Sequence, residues 1–474
     1  MNKTKRFGVT VLVFLLGNVL SKLITFFLLP LYTANLSPAE YGNYDLIVTI
    51  VSFVSPLIFF QIWDGMYRFS FDKKKNEEKQ AVISNAFVVF GLGTCLYLLI
   101  SIVFGLISVL GGFMSVSRFF LIIGYAFFYS FSFIFCYGSR VYLKNTLFAI
   151  SGLANTATVM TLNLILILVC GWGVDALYLG AIAGFIVQIL ILEIPGGYLR
   201  KISLKSTDKE LIKKMIRFSI PLCLATASYW LLSGFTKICI VMYLGDEGNG
   251  YYAVANRFGS LITLVVTAFQ YAWNEIAYIM SEEDDRKEKY SLCINTIIKL
   301  LLCLSGCLIL GIKIIFPYFI DPSYNAALDI IPATVIGVAF NSLAAFVATI
   351  FMSEKNTGFV MISTFIAAIV NIVGGLVVTK FFGLQGALIS LGVSFLVLAA
   401  LRIYQSRKMI GFKLDYKIIF ALVSLAACVV VFFLFNNIFI LIIGIVVELA
   451  VVVILCLKEA KMLFTKKEEP TEAK

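Results

Sequence analysis

The stretch Gly8-Val-Thr-Val-Leu-Val-Phe-Leu-Leu-Gly-Asn-Val-Leu-Ser-Lys-Leu-Ile-Thr-Phe-Phe-Leu-Leu-Pro30 sets the terms for the whole chain. It is long enough to cross the hydrocarbon of a bilayer, which takes about 20 apolar residues. It is too long for the apolar core of a signal peptide and lacks a small-residue cleavage site, so it reads as a retained first membrane helix. Within it sits Lys22. A cation at that depth costs about 3 kcal/mol or more, and such residues are usually kept because something passes by them. Lys237 and Arg257 lie inside later apolar stretches in the same way.

The rest of the chain repeats that pattern. The 474 residues are 61% hydrophobic and 14% charged, too apolar for a soluble domain of this length. Dividing the chain at about 20 apolar residues per pass gives fourteen spans. Their cores lie near 8–30, 43–66, 80–110, 117–138, 147–170, 175–197, 213–243, 251–279, 291–313, 326–352, 358–379, 384–404, 415–435 and 437–457, numbered 1 to 14 below. The net charge of +11 is distributed as a topology signal, not as a nucleic-acid patch. With the N-terminus in the cytoplasm, the cytoplasmic segments hold 31 Lys or Arg, against Arg118, Lys313 and Lys380 outside. That is the positive-inside bias, and a wrong span count would scramble it. Both termini are therefore expected in the cytoplasm.

The ten cysteines, among them Cys95, Cys136, Cys223, Cys303 and Cys428, are scattered singly with no CxxC pair. They read as reduced packing residues. There is no histidine, which removes the commonest metal ligand and general base. No GxxxxGK[ST] is present, so ATP hydrolysis by this chain is excluded. Neither a cofactor nor a metal is expected.

The two halves resemble each other. Leu36-Ser-Pro-Ala-Glu-Tyr-Gly-Asn-Tyr44 precedes span 2, and Leu244-Gly-Asp-Glu-Gly-Asn-Gly-Tyr-Tyr252 precedes span 8. Span 2 ends in Phe60-Gln-Ile-Trp-Asp64 and span 8 in Phe269-Gln-Tyr-Ala-Trp-Asn274, while Asn85 answers Asn295. The expected architecture is an all-α polytopic membrane protein of fourteen transmembrane helices. It comprises an N-lobe over 1–200, a C-lobe over 201–407, and a C-terminal helix pair with a cytoplasmic tail over 408–474. Each six-helix lobe has an even number of passes, so the copies share one orientation and a parallel pseudo-two-fold relates them.

The Leu36-Ser-Pro-Ala-Glu-Tyr-Gly42 segment, the Gln61 to Arg68 close of span 2 and the six-plus-six-plus-two layout resemble the polysaccharide biosynthesis flippases. These belong to the multidrug/oligosaccharidyl-lipid/polysaccharide exporter superfamily. The resemblance implies two lobes that flip an undecaprenyl-pyrophosphate-linked oligosaccharide across a bacterial cytoplasmic membrane by alternating access, for export of capsule, exopolysaccharide or a related surface glycan. It also implies, as in the lipid II flippase, that the extra pair borders a groove for the lipid tail. Membrane lipids and the lipid-linked glycan are the implied partners, with glycan polymerases or glycosyltransferases nearby, and the chain is expected to act as a monomer.

The polar residues of the spans are compatible with that role. Asn18, Ser21, Lys22 and Thr25 share one face of span 1. Thr226, Tyr229, Ser233, Thr236 and Lys237 do so on span 7, and Arg257, Ser260, Thr267, Tyr271 and Asn274 on span 8. Span 2 adds Asp45, Thr49 and Ser52 above Pro56, whose missing N–H favours a kink. Four wet faces suggest a water-filled cavity that takes the substrate. The bland readings are hydroxyls bonded to their own backbone and cations that snorkel to the surface, Lys299 inward. Asp64 and Arg68, four apart, are placed to pair, and Glu275 ends the equivalent helix. A cytoplasmic gate joining Arg68 to Glu275 and a solvated loop edge are both open. In spans 13 and 14 the Val, Ile, Leu and Phe surfaces suit lipid, and Glu448 is either protonated or paired with a cation.

Two rivals remain. A multidrug antiporter of the same superfamily needs a buried carboxylate, and only Asp45 offers one. A membrane glycosyl polymerase or ligase needs a large external loop with acid/base residues, which this chain lacks. Cysteine labelling in a Cys-free background is expected to find position 172 outside and position 75 inside. Labelling of both from one side would refute fourteen spans.

Overall fold

The computed structural model describes residues 19–112, 114–200, 202–203, 207–280, 286–354 and 356–465. All regular structure among them is helical. Eleven described helices are long and apolar enough to cross a membrane. Two of these, Lys209–Thr267 and Gly358–Ile410, each hold two passes folded at a glycine. At Gly245 (φ 72°, ψ −176°) and Gly383 (φ 57°, ψ −140°) the backbone enters a region that side chains exclude. With the shorter Val19–Asn35, the passes number fourteen.

The corner between spans 7 and 8 is far tighter than a loop over 244–252, because Gly245 alone turns the chain. At the matching place before span 2, Ser37 caps the Pro38–Ile58 helix in a reciprocal capping box with Glu40, and Pro38 occupies its first turn. The box satisfies two orphan donors that no water would reach deeper in the membrane. The Ser-Pro-Ala-Glu signature is therefore a helix start, and Gly245 reaches the same end by backbone freedom.

Contacts divide the chain into two compact units, Met1–Trp230 and Leu231–Lys474. Most of span 7 belongs to unit 1. Trp230 stacks on Phe53 with ring centroids 4.2 Å apart, and its Nε1 donates to the Thr49 carbonyl at 3.1 Å.

Packing repeats in each unit where the sequence does. Trp63 stacks on Phe133 at 5.0 Å, and Trp273 stacks on Phe346 at 4.5 Å. Asn85 Oδ1 accepts the Asp208 N–H at 2.8 Å, and Asn295 Oδ1 accepts the Asp415 N–H at 2.9 Å. Each of these aspartates then caps the helix it precedes, Asp208 through the Glu210 N–H and Asp415 through that of Lys417.

Spans 13 (Lys417–Leu434) and 14 (Ile438–Thr465) present one face to lipid, with Phe420, Val423, Phe439 and Ile443 exposed. Their other face is clamped onto span 9, Arg286–Phe319, at three depths. Near one end Lys299 Nζ pairs with Asp415 at 3.1 Å. Midway Glu448, 1% exposed, accepts from Ser424 and from Cys428 Sγ at 3.4 Å, and lies against Gly306. At the far end Lys313 donates to the Phe432 carbonyl and, at 2.9 Å, to that of Phe435. These are the C-terminal carbonyls of span 13, where a helix favours a cation. One sequence expectation is corrected, and of the two readings of Glu448 the cation pair is not the one found among the described residues. Lys299 is wholly buried and held by a carboxylate, so it does not end in water. The described partners of Glu448 are a hydroxyl and a thiol, not a cation. Arg402 is likewise inside unit 2, donating to Ser363, Thr364 and the Ala344 and Val360 carbonyls, and so tying spans 10, 11 and 12 together.

Asp415 lies in the connection before span 13. Burial pushes its carboxyl up, but the Lys417 amide and the Lys299 ammonium outweigh that and leave it below the usual carboxylate range. A depressed carboxyl contributes stability above its ordinary pKa, and the contribution is lost as pH falls through the lower folded value. Asp415→Asn is expected to destabilise the detergent-solubilised protein by on the order of 3 kcal/mol. Lys299→Met combined with Asp415→Asn should recover most of this. Melting curves across pH should show the acid-sensitive component in wild type and not in the double variant.

Candidate functional site

The expected wet faces are quieter in the structure than in the sequence, because many of their hydroxyls are already engaged. Thr25 donates to the Ser21 carbonyl at 2.9 Å, Thr49 to Asp45 and Ser52 to Thr49, both at 2.7 Å. Ser260 donates to Arg257 and Thr267 to Thr263, both at 2.6 Å. Each closes on its own helix, as hydroxyls do where water is scarce. Thr236 turns into unit 2 and meets Asn371, whose amide also donates to the Leu232 carbonyl.

The charged and phenolic side chains therefore carry the polarity of these faces. In unit 1, Lys22 is exposed, Asp45 is half-buried and Tyr229 is 48% exposed. In unit 2, Arg257 is half-buried. Lys237 is only 8% exposed and holds its ammonium 5.9 Å from the Tyr252 ring centroid, within cation–π range. Asn18 lies outside the described residues. Tyr271, Asn274 and Glu275 lie on the Phe235–Met280 helix, and their side chains are outside the described set.

The expected pairing of Asp64 with Arg68 is not formed. Arg68 pairs instead with Asp72 at 2.8 Å, both side chains about half exposed. Asp64 accepts from Gln61 Nε2 at 2.7 Å and shares a hydrogen bond with Tyr137, with Arg140 close by. The Arg140 guanidinium lies 4.7 Å over the Tyr67 ring and 5.2 Å over that of Tyr137. The reason is local. Span 2 is not one helix, and a new short helix, Ile62–Ser70, starts beside Gln61. Asp64 falls in its first turn and bonds its capping residue, while Arg68 falls in its last turn and reaches forward.

Sequence reasoning missed Gln61, Ser219 and Cys223. Ser219 Oγ donates to the Gln61 carbonyl at 3.4 Å, Cys223 Sγ to the Pro56 carbonyl at 3.4 Å, and Thr226 Oγ1 to Gln61 Oε1 at 3.1 Å. The signal was available, since 219, 223, 226 and 230 follow one face of span 7. Unit 1 also has a cavity of about 580 Å³ lined by Asn76, Gln80, Tyr142 and Lys144. No metal-binding cluster occurs among the described residues.

The fold and these residues together define a polytopic membrane protein of helical spans. A family profile described as polysaccharide biosynthesis protein matches residues 8–273, more than half of the sequence, and the chain belongs to that family. No curated protein matches it. Among solved structures, the lipid II flippase MurJ in an inward closed conformation shares the fold with a TM-score of 0.70 at 14% identity, over 96% of this chain and 99% of that one. An inward-facing multidrug resistance MATE transporter of the MOP superfamily has a TM-score of 0.65 at 15% identity, over 83% of this chain and 98% of that one. The Vibrio cholerae MATE transporter VcmN in its bent form gives 0.54 at 14% identity, over 86% and 98%. The flippase match thus extends over nearly the whole chain.

The Asp64 and Arg68 environments make separable predictions. Arg68→Ala should leave thermal stability within about 0.5 kcal/mol, as for an exposed pair. Asp64→Ala removes the partner of Gln61 and Tyr137 and should cost about 1–3 kcal/mol. Equal melting temperatures for the two variants would contradict the assignment.

Proposed function

We propose that the protein is a flippase that carries an undecaprenyl-pyrophosphate-linked oligosaccharide from the inner to the outer leaflet of a bacterial cytoplasmic membrane by alternating access. The product would feed capsule, exopolysaccharide or a related surface glycan. One observation carries the reading: in a member of the polysaccharide biosynthesis family, the membrane positions that face selection against charge hold the cations Lys22, Lys237 and Arg257. An arginine fork suits a pyrophosphate, and lysines serve as point charges. No nucleotide site is needed. Moving negative charge outward down an inside-negative potential contributes about 2.3 kcal/mol per charge per 100 mV.

A second reading has Asp45 in its favour, half-buried on span 2 in a fold shared with multidrug transporters. It makes the protein an antiporter of organic cations. Loss of the protein is expected to accumulate lipid-linked sugar on the inner leaflet, and overexpression should give no resistance to cationic dyes. Arg257→Ala should abolish complementation while inserting normally, and Arg257→Lys should restore part of it. Dye efflux that disappears in Asp45→Asn would replace the flippase with the antiporter.

A further inference from the structure

Span 2 breaks where its counterpart in the repeat does not. The Pro38–Ile58 helix ends in a Schellman turn, with Gln61 N–H bonded to the Pro56 carbonyl at 2.8 Å and Phe60 N–H to that of Leu57 at 3.3 Å. The turn requires a left-handed residue, normally glycine, and here that residue is Phe60 (φ 53°). Gln61 follows, also left-handed at φ 45°, before Ile62–Ser70 begins. Two consecutive non-glycine residues in this region are strained and persist only where the surroundings impose them.

The surroundings here are span 7. Ser219, Cys223 and Thr226 lie on one face of it, and each gives a hydrogen bond to the break, at the Gln61 carbonyl, the Pro56 carbonyl and the Gln61 side chain. Just past the break, Gly65 brings its backbone so close that a Cβ would sit 2.8 Å from Ser219 Oγ. Gln61 continues the chain of contacts through Nε2 to Asp64, which is joined to Tyr137. In unit 2 the Phe-Gln pair, Phe269 and Gln270, stays within a continuous helix, and Gln270 donates to Thr349 of its own unit at 2.8 Å. Between Gln and Trp the first segment has one residue, Ile62, and the second has two, Tyr271 and Ala272, and span 8 has no counterpart of Pro56.

We propose that Gln61 is a positioning residue of the transport cycle. It holds span 2 in a strained, broken form while span 7 lies against it, and span 2 moves toward a continuous helix when Thr226, Cys223 and Ser219 withdraw. The inference rests on the flippase reading only for the word transport, since the latch itself is a property of unit 1. Irregular backbone at membrane depth is tolerated where protein buries it or a cavity solvates it, and discontinuous helices recur at transporter sites.

The test uses the full chain in lipid nanodiscs and two variants of opposite sign. Thr226→Val removes the donor to Gln61 at nearly constant shape and should speed hydrogen exchange at the 59–62 amides roughly fivefold, about one hydrogen bond. Phe60→Gly relieves the left-handed strain and should slow exchange there roughly tenfold. In vesicles loaded with lipid-linked glycan from the producing cells, the two variants should shift maximal flipping rate in opposite directions with unchanged half-saturation. Gln61→Asn should fall nearer to wild type than Gln61→Leu. Exchange that does not respond, or variants that lose stability and rate in parallel, would overturn the latch. If the vesicles show no flipping with wild type while exchange behaves as stated, the flippase reading fails and the latch stands.

Discussion

A polar atom in the hydrocarbon of a bilayer has no water to return to, and that constraint orders most of what this chain does. Its cations settle accordingly. Lys299 meets Asp415, Lys313 meets the last carbonyls of span 13, Arg402 spreads over two hydroxyls and two carbonyls, and Lys237 lies near an aromatic face. The hydroxyls settle too, mostly on their own helices. Even the interruption of span 2 is not left open, because span 7 supplies donors to its carbonyls. Most of the polarity described in this protein thus holds helices together.

What the sequence shows and what it hides follow from the range of the interaction involved. The number of passes depends on local apolar length and on which loops carry lysine and arginine, so it is legible residue by residue. The break at Phe60 and Gln61 depends on Pro56, which is visible, and on donors from span 7, some 160 residues away, which are not. Asp64 and Arg68 do lie four apart on one helix, Ile62–Ser70, but the new helix start at Gln61 gives Asp64 a nearer partner and Arg68 reaches forward to Asp72, and spacing alone shows neither competitor. Glu448 was recognisable as an anomaly, but its partners Ser424 and Cys428 lie on the neighbouring helix and look unremarkable in sequence.

The sequence resemblance between the two halves meets two outcomes. At Trp63 and Trp273, and at Asn85 and Asn295, both copies pack alike, which ties the weak sequence match to shared mechanics. At Gln61 and Gln270 they part, one serving a seam and the other its own core.

The ion pair of Lys299 and Asp415 joins positions 116 residues apart, and the order of synthesis gives this separation a cost in time. Ribosomes add about 5–20 residues per second. Span 9 therefore enters the membrane on the order of ten seconds before the carboxylate that completes its burial has been made. Through that interval the nascent chain has to shelter the ammonium by other means, at the insertion machinery or the lipid interface. The C-terminal pair thus closes the assembly of unit 2, and damage to the last seventh of the chain would reach back to a helix already in place.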